Sequence, residues 1–402
     1  MASKRIGILT GGGDVPGLNS VIKTVVYRAS EMGAVVIGIR RGWEGLTHLN
    51  LDEPSSRALY LAPLNRENTR TIDRTGGTFL HSSRTNPAKM KRVPGVHVRE
   101  FPPRDGGQGA YDMTPQVLKK IEALGLECLI AIGGDETLGY AGRLHREGVQ
   151  VIAIPKAMDN NVRNTEYCIG FSTAVTRATE AIERQRTTIG SHERIGIFRI
   201  LGRRTGYTAL FTAYVTSLRC CIPEYRFDLP HLIGLVTTDK RNNPSNYALL
   251  IVSEGAEWVQ SGDAAPRRSL NVAEDLSEAI RRQTGEEAIV SDLTYDLRSG
   301  SPDFVDKMVA NTFAGMAIDC LTNGTHGVMT AITGGCYTTV PIPDSSLGPR
   351  QVDVETLYNT ERYRPRYDHK SGLPLFLTCE PHPEMWRAAE KTGIEELQPS
   401  IA

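Results

Sequence analysis

The chain has 402 residues, and its 46 Lys+Arg balance 46 Asp+Glu, so it carries no overall electrostatic footprint for nucleic acid or an anionic membrane. Hydrophobic residues at 40% and charged residues at 23% exclude a chain too polar to bury a core. At about 100–200 residues per domain the length predicts two large domains, and apolar runs such as Leu129-Ile130-Ala131-Ile132 stop far short of a membrane-spanning helix.

Residues 5–9 read as a first strand, because Lys4-Arg5 passes into Ile6-Gly7-Ile8-Leu9 and then glycines, too short a run for a secretory signal. A helix over 18–32 and a strand over 34–39 follow, which is a βαβ rhythm. Residues 51–113 break it: they are rich in Pro, Arg and Gly and read as surface loops that can form an active-site rim. The rhythm returns with a strand over 127–132, a helix over 136–147, a strand over 151–154 and a helix over 172–186. Strands over 194–199, 247–253 and 288–292 then alternate with helices after Gly202, over 272–282 and over 303–321. Repeated βαβ units predict an α/β fold with parallel sheets. The tail after Pro341, with the basic-aromatic run Glu361-Arg362-Tyr363-Arg364-Pro365-Arg366-Tyr367, reads as a docked surface tail. Seven cysteines without a C-x-x-C pair suit a reducing compartment, so a cytoplasmic protein is expected.

Three strand ends carry the candidate chemistry. The first runs into Thr10-Gly11-Gly12-Gly13-Asp14-Val15-Pro16-Gly17 before a helix, where glycines let backbone N–H groups approach a polyanion and the helix start adds positive potential. It has neither the P-loop nor the G-x-G-x-x-G spacing, which excludes the common dinucleotide fingerprint; alone, it is as readily a tight turn. The second is Ile132-Gly133-Gly134-Asp135-Glu136-Thr137, again opening a helix. An acid there can simply cap the helix, but beside a phosphate cradle it is where Mg²⁺ bridging phosphate oxygens would be held. The third is Ile154-Pro155-Lys156-Ala157-Met158-Asp159-Asn160-Asn161. Asp-Asn-Asn alone is more often a turn, yet phosphoryl transfer needs a cation on the moving group and a carboxylate for the attacking hydroxyl, and Lys156 with Asp159 supply both.

These loops, in this order and near this spacing, resemble the 6-phosphofructokinase family, specifically its pyrophosphate-dependent and related long-chain bacterial members. Further segments agree: Gly76-Gly77-Thr78-Phe79-Leu80 leading to Ser83-Arg84, Ile169-Gly170-Phe171-Ser172-Thr173-Ala174, Ser191-His192-Glu193-Arg194, Leu201-Gly202-Arg203, Val252-Ser253-Glu254-Gly255 and Arg298-Ser299-Gly300-Ser301-Pro302. The resemblance spans most of residues 4–335 and implies two Rossmann-like three-layer domains with mainly parallel sheets. A donor domain of residues 1–170 plus 298–345 and a sugar-phosphate domain of 171–297 plus 346–402 are expected.

Carried over by position, the resemblance implies that Gly12, Gly13, Gly134 and Thr137 cradle the donor, Arg84 reaches the transferred group and Asp135 organises Mg²⁺. Asp159 would be the base for the sugar's 1-hydroxyl, with Lys156 and Arg203 beside it. Met158, Asn161, Leu201, Gly202, Glu254, Tyr295 and Arg298 would form the sugar-phosphate pocket, and Arg194 would be lent to a neighbouring subunit of a homodimer or homotetramer. ATP users of the family commonly have Gly at the positions of Glu136 and Lys156, and pyrophosphate users Asp and Lys. A carboxylate at 136 repels the α-phosphate of ATP, and Lys156 supplies a cation, so pyrophosphate is the expected donor and fructose 6-phosphate the acceptor, a glycolytic and gluconeogenic reaction.

The chain departs from the family at Glu136 (Asp expected), Ala157 (Thr), Met158 (Ile), Asn161 (Asp), Leu201 (Met) and Tyr295 (often His). A phosphate-binding Arg is missing near Ile289, and Arg362, Arg364 or Arg366 of the tail are candidates to replace it. ATP as donor, sedoheptulose 7-phosphate as acceptor, and a non-catalytic sugar-phosphate-binding paralogue are the alternatives.

Overall fold

A computed structural model describes residues 4–97, 110–259 and 270–367. Strand β1 (Arg5–Thr10), helix α1 (Leu18–Glu31) and β2 (Val35–Ile39) come first, then α2 (Trp43–His48), α3 (Pro54–Tyr60) and β3 (Leu61–Leu64). Helix α4 (Thr114–Ala123), β4 (Cys128–Gly133), α5 (Asp135–Arg146) and β5 (Val151–Pro155) continue the alternation, and α6 (Phe171–Ser191) leads to β6 (Ile195–Ile200). Next are α7 (Tyr207–Thr216), β7 (Arg219–Cys221), β8 (Phe227–Asp228), α8 (Leu229–Asn242), β9 (Ala248–Ser253) and β10 (Trp258–Val259). The last are α9 (Val272–Thr284), β11 (Ala288–Asp292), α10 (Phe304–Thr322), β12 (Val328–Thr333), β13 (Cys336–Pro341), α11 (Val354–Leu357), β14 (Tyr358–Asn359) and β15 (Arg364–Pro365).

Two sheets carry the fold. The larger has the order β13-β12-β5-β4-β1-β2-β3, parallel from β12 to β2 with an antiparallel strand at each edge. The second, β11-β6-β9-β7, is parallel throughout. Both faces of the larger sheet are covered, which is why its central strands read as continuous apolar runs rather than alternating ones. Ile6 and Ile8 of β1 face α1 and α10 through Val21, Val25 and Phe313, whereas Leu9 and Leu129 face Trp43, Tyr140 and Leu144.

A buried carboxylate ties α10 to the start of α6. Asp306 accepts from the Tyr167 hydroxyl (2.7 Å), the backbone N–H of Gly170 (2.7 Å) and Thr173 (2.8 Å) and the Thr173 hydroxyl (2.5 Å). A negative charge suits that helix N-terminus, whose first N–H groups lack partners within the helix.

The predicted strands and helices lie within a few residues of those observed, but α4 and several short elements, among them β7, β8, β10, α11, β14 and β15, were not predicted, and three further corrections apply. Residues 51–113 are not loops alone: they hold α3 and β3, and β3 forms one edge of the larger sheet. Pro63 hid that strand, because proline argues against a central strand but is tolerated at an edge where its missing donor faces no partner. Helix α8 was unpredicted although Asp228 caps it, accepting from His231 N at 2.8 Å, and Pro230 sits in its first turn. The hairpin β12–β13 was also unpredicted. Among the described residues no helix is long and apolar enough to cross a membrane.

Candidate active site

The sheet order β5-β4-β1 brings the three chemically marked strand ends side by side, where α/β sheets bind ligands. They line one cleft of about 370 Å³, closed from the other side by the turns that follow β6, β9 and β11. Every residue named above as donor-, metal- or sugar-binding or catalytic lines this cleft except Arg194 and the candidate tail arginines.

The glycine loop after β1 is pinned from two directions: Gly12 N donates to Ser83 O at 2.8 Å and the Ser82 hydroxyl to Gly12 O at 2.5 Å. This joins the loop to the segment that delivers Arg84. A Cβ on Gly13 would stand 2.5 Å from Arg298 Nη1, so any side chain here would displace the guanidinium that donates to Asp14 O at 2.9 Å. At the next strand end, α5 begins directly after Gly134 with no side-chain cap, so its first-turn N–H groups open into the cleft beside Asp135, Glu136 and Thr137. Asp135 is half-buried, and burial raises its carboxyl above the ordinary range; Arg204 opposes this and Glu136 adds to it. Glu136 is exposed at the cleft mouth.

Lys156 is the buried cation of the site, 4% exposed, and its ammonium donates to Gly13 O. Burial, then Arg298, bring its pKa down to about 8. Asp159 is pushed up to about 6 by burial, while its own backbone N–H, Arg298 and Lys156 pull the other way. The Asn161 amide donates to Asp159 Oδ2 at 2.8 Å. The amide thus makes a favourable contact to the carboxylate where the family's acid would repel it. Ala157 sits in an apolar cluster with Leu138, Val162 and Met329, so it offers no hydroxyl. Met158 and Leu201 touch the cleft, but their side chains belong to the core.

On the sugar side, Gly202 has φ +139°, and a Cβ there would stand 2.3 Å from Ser253 Oγ, so glycine alone lets the turn approach β9. Arg203 Nε lies 3.3 Å from Glu254 Oε1 with most of its side chain free in the cleft. Tyr295, 84% exposed, stands at the rim.

Arg194 lies just before β6, at the opposite end of the strand from the cleft. Six residues at about 3.3 Å each put it roughly 20 Å away, and it pairs with Glu287 at 2.6 Å. The tail arginines do not supply the charge missing near Ile289 in this chain's cleft: Arg364 pairs with Asp239 at 3.3 Å, Arg366 Nε donates to Tyr358 O at 3.2 Å, and neither they nor Arg362 line it. Arg199, on the strand beside β11, is taken up by Asp292 (2.6 Å) and Glu254 (3.8 Å).

Sequence reading missed Arg204, Thr85, Asn86, Thr294 and Pro349, all of which line the cleft. The first four adjoin named residues and were findable by adjacency. Pro349 had no signal. It belongs to a strap that crosses the rim: Arg350 N donates to Asn161 O (2.8 Å), the Thr205 hydroxyl to Arg350 O (2.8 Å), and Arg163 Nε to Gly348 O (2.8 Å).

The Phosphofructokinase family profile matches residues 5–321. The chain belongs to the phosphofructokinase family. It is a phosphotransferase with an alcohol acceptor. The chain is 37% identical over 363 residues to "Pyrophosphate--fructose 6-phosphate 1-phosphotransferase" of Streptomyces coelicolor, covering 87% of this chain and 96% of that protein. A second protein of the same organism, "ATP-dependent 6-phosphofructokinase 3", is 34% identical, covering 85% and 94%. Among solved structures, a pyrophosphate-dependent phosphofructokinase from Nitrosospira multiformis superposes with TM-score 0.73 at 16% identity, covering 95% and 98%, a likeness of fold.

The cleft fits a Mg²⁺ ion shared with substrate rather than a protein-built cage. Among the described residues no three His, Cys, Asp or Glu side chains converge, but Asp135 has no ion-pair partner and stands beside Glu136 at the phosphate cradle. One or two carboxylates completed by phosphate oxygens and water are the usual Mg²⁺ ligand set in such sites.

Proposed function

We propose that this phosphofructokinase-family chain transfers a phosphoryl group from pyrophosphate to the 1-hydroxyl of fructose 6-phosphate, reversibly and with Mg²⁺. The observation that carries the donor assignment is Lys156: a buried ammonium at the glycine loop, in the same cleft as Asp159 and with a carboxylate at 136 on the adjoining strand end. Pyrophosphate lacks the nucleoside contacts of ATP, and a cation already in the cradle compensates, while Glu136 repels an α-phosphate.

Asp159 accepts the proton of the 1-hydroxyl as its oxygen attacks the terminal phosphorus. The bridging P–O bond of pyrophosphate breaks, and orthophosphate leaves. Lys156 and Arg84 hold the transferred group, and Arg203, Glu254 and Arg298 hold the sugar phosphate. Asp135 with Glu136 would hold Mg²⁺, which supplies charge neutralisation of the phosphate oxygens. Arg194, remote from its own cleft, acts in that of a neighbouring subunit, making the enzyme a homodimer or homotetramer, and its setting is the cytoplasm. A carboxylate base with its pKa near the operating pH suits general-base catalysis, for which loss of the base costs about 10²–10⁴-fold.

ATP as donor is the second reading, favoured by the exposure of Glu136, whose carboxylate is free to turn toward solvent. Asp159→Asn tests the base: turnover is expected to drop at least about 100-fold while equilibrium binding of the sugar phosphate persists. Near-normal turnover would remove Asp159 from that role.

A further inference from the structure

Five cations line the cleft, and three of them have protein partners. Lys156 donates to Gly13 O, Arg298 to Asp14 O at 2.9 Å, and Arg203 meets Glu254 at 3.3 Å. The guanidinium groups of Arg84 and Arg204 have no hydrogen-bond or ion-pair partner among the described residues, although two carboxylates, Asp135 and Glu136, stand in the same cleft. A guanidinium carries five donors in a fixed fork that matches phosphate. Two that stay free on opposite walls of a cleft with a phosphate cradle are placed for a polyanion between them.

The neighbouring arginines 203 and 204 diverge. Arg203 turns to Glu254 on the sugar side. Arg204 turns to the rim strap and the donor side: a Cβ on Gly348 would stand 3.2 Å from Arg204 Nη2, and Arg204 is the foremost positive charge acting on Asp135. Its backbone is fixed by the same strap that holds the base loop. Gln351 Nε2 approaches Arg204 O at 3.5 Å, Thr205 donates to Arg350 O, and Arg350 N donates to Asn161 O. The guanidinium therefore reaches the donor region from a rigid support, although its side chain is exposed.

We propose that Arg204 is a donor-binding residue that takes the leaving phosphate of pyrophosphate, across the cleft from Arg84 and Lys156. Together with Lys156 it supplies the positive charge that a compact polyanion needs. The proposal rests on the pyrophosphate reading above and adds a residue that reading does not use.

The test compares the unmodified enzyme with Arg204→Met and Arg204→Lys, varying pyrophosphate at saturating Mg²⁺ and sugar phosphate. Binding of pyrophosphate is measured in parallel by calorimetry in an Asp159→Asn background, where turnover does not interfere. Loss of a charge-assisted phosphate contact predicts that Arg204→Met raises both KM and Kd for pyrophosphate roughly 10- to 100-fold. The KM for the sugar phosphate stays within about twofold, and Arg204→Lys recovers part of the loss. Unchanged pyrophosphate KM and Kd in Arg204→Met, or a rise confined to the sugar-phosphate KM, would overturn the proposal while leaving the pyrophosphate reading intact. Absence of turnover with pyrophosphate in the unmodified enzyme would overturn both. Because Arg204 is exposed, the thermal midpoint of both variants is expected to match the parent, which separates loss of binding from loss of fold.

Discussion

Replacing Asn161 with Ala removes the amide that donates to Asp159 Oδ2 at 2.8 Å and leaves in place the backbone carbonyl that receives Arg350 N. Burial holds the Asp159 carboxyl at about 6, and the amide favours its ionised form. A hydrogen bond to a charged group is worth about 1.5–3 kcal/mol and one pKa unit is about 1.4 kcal/mol. Complete loss therefore raises the carboxyl by about one to two units, and water entering the truncated site returns part of that, so about one unit is expected. The base works only when ionised, so raising its pKa moves the acid limb of the rate profile to higher pH. At pH 6 the parent is about half ionised and the variant about one-tenth, a roughly fivefold loss that vanishes by pH 9. The assay is kcat/KM for the sugar phosphate from pH 5 to 9, which reports the free enzyme. An acid limb that coincides with the parent's, or lies at lower pH, would refute the assigned link between the amide and the base.

Lys156 must be charged to attract pyrophosphate, and its pKa is held down to about 8, so kcat/KM for the donor is expected to fall above pH 8; Lys156→Met should lack that alkaline limb as well as most activity. Glu136→Gly combined with Lys156→Gly is expected to improve ATP use relative to pyrophosphate, measured as the ratio of the two kcat/KM values; an unchanged ratio would mean other groups exclude the nucleotide. Asp306→Ala leaves the Tyr167 and Thr173 hydroxyls and two N–H groups without their acceptor, and should destabilise the fold by roughly 3 kcal/mol or more in denaturant titrations. A shift below about 1 kcal/mol would mean that those donors find other acceptors.

Each strand-end loop alone could be a turn or a cap, but the three were legible together because parallel sheets collect such ends on one edge and their order and spacing matched one family. Arg84 was legible through its motif, and the sheet edge brings it to the glycine loop by way of Ser82 and Ser83. The rim strap was not legible: its partners are the backbone carbonyl of Asn161 and the backbone of Arg350 and Gly348, which no residue type announces. The tail arginines misled for the opposite reason. Arg364 looks free in sequence, but β15 packs beside β7 and delivers it to Asp239. Arg204 is written next to Arg203, yet that one is paired with Glu254 and the other unpaired is visible only in three dimensions. Edge strand β3 was obscured by Pro63, whereas α8 begins with an Asp-Leu-Pro signal, Asp228 capping and Pro230 in its first turn.

The donor assignment is tested most directly by initial rates of fructose 1,6-bisphosphate formation from fructose 6-phosphate and Mg²⁺ with pyrophosphate, ATP or ADP as the sole donor. The buried Lys156 and the acid at 136 predict turnover with pyrophosphate and little or none with either nucleotide. Turnover with ATP and none with pyrophosphate would contradict the assignment and show that Glu136 turns away from the nucleotide.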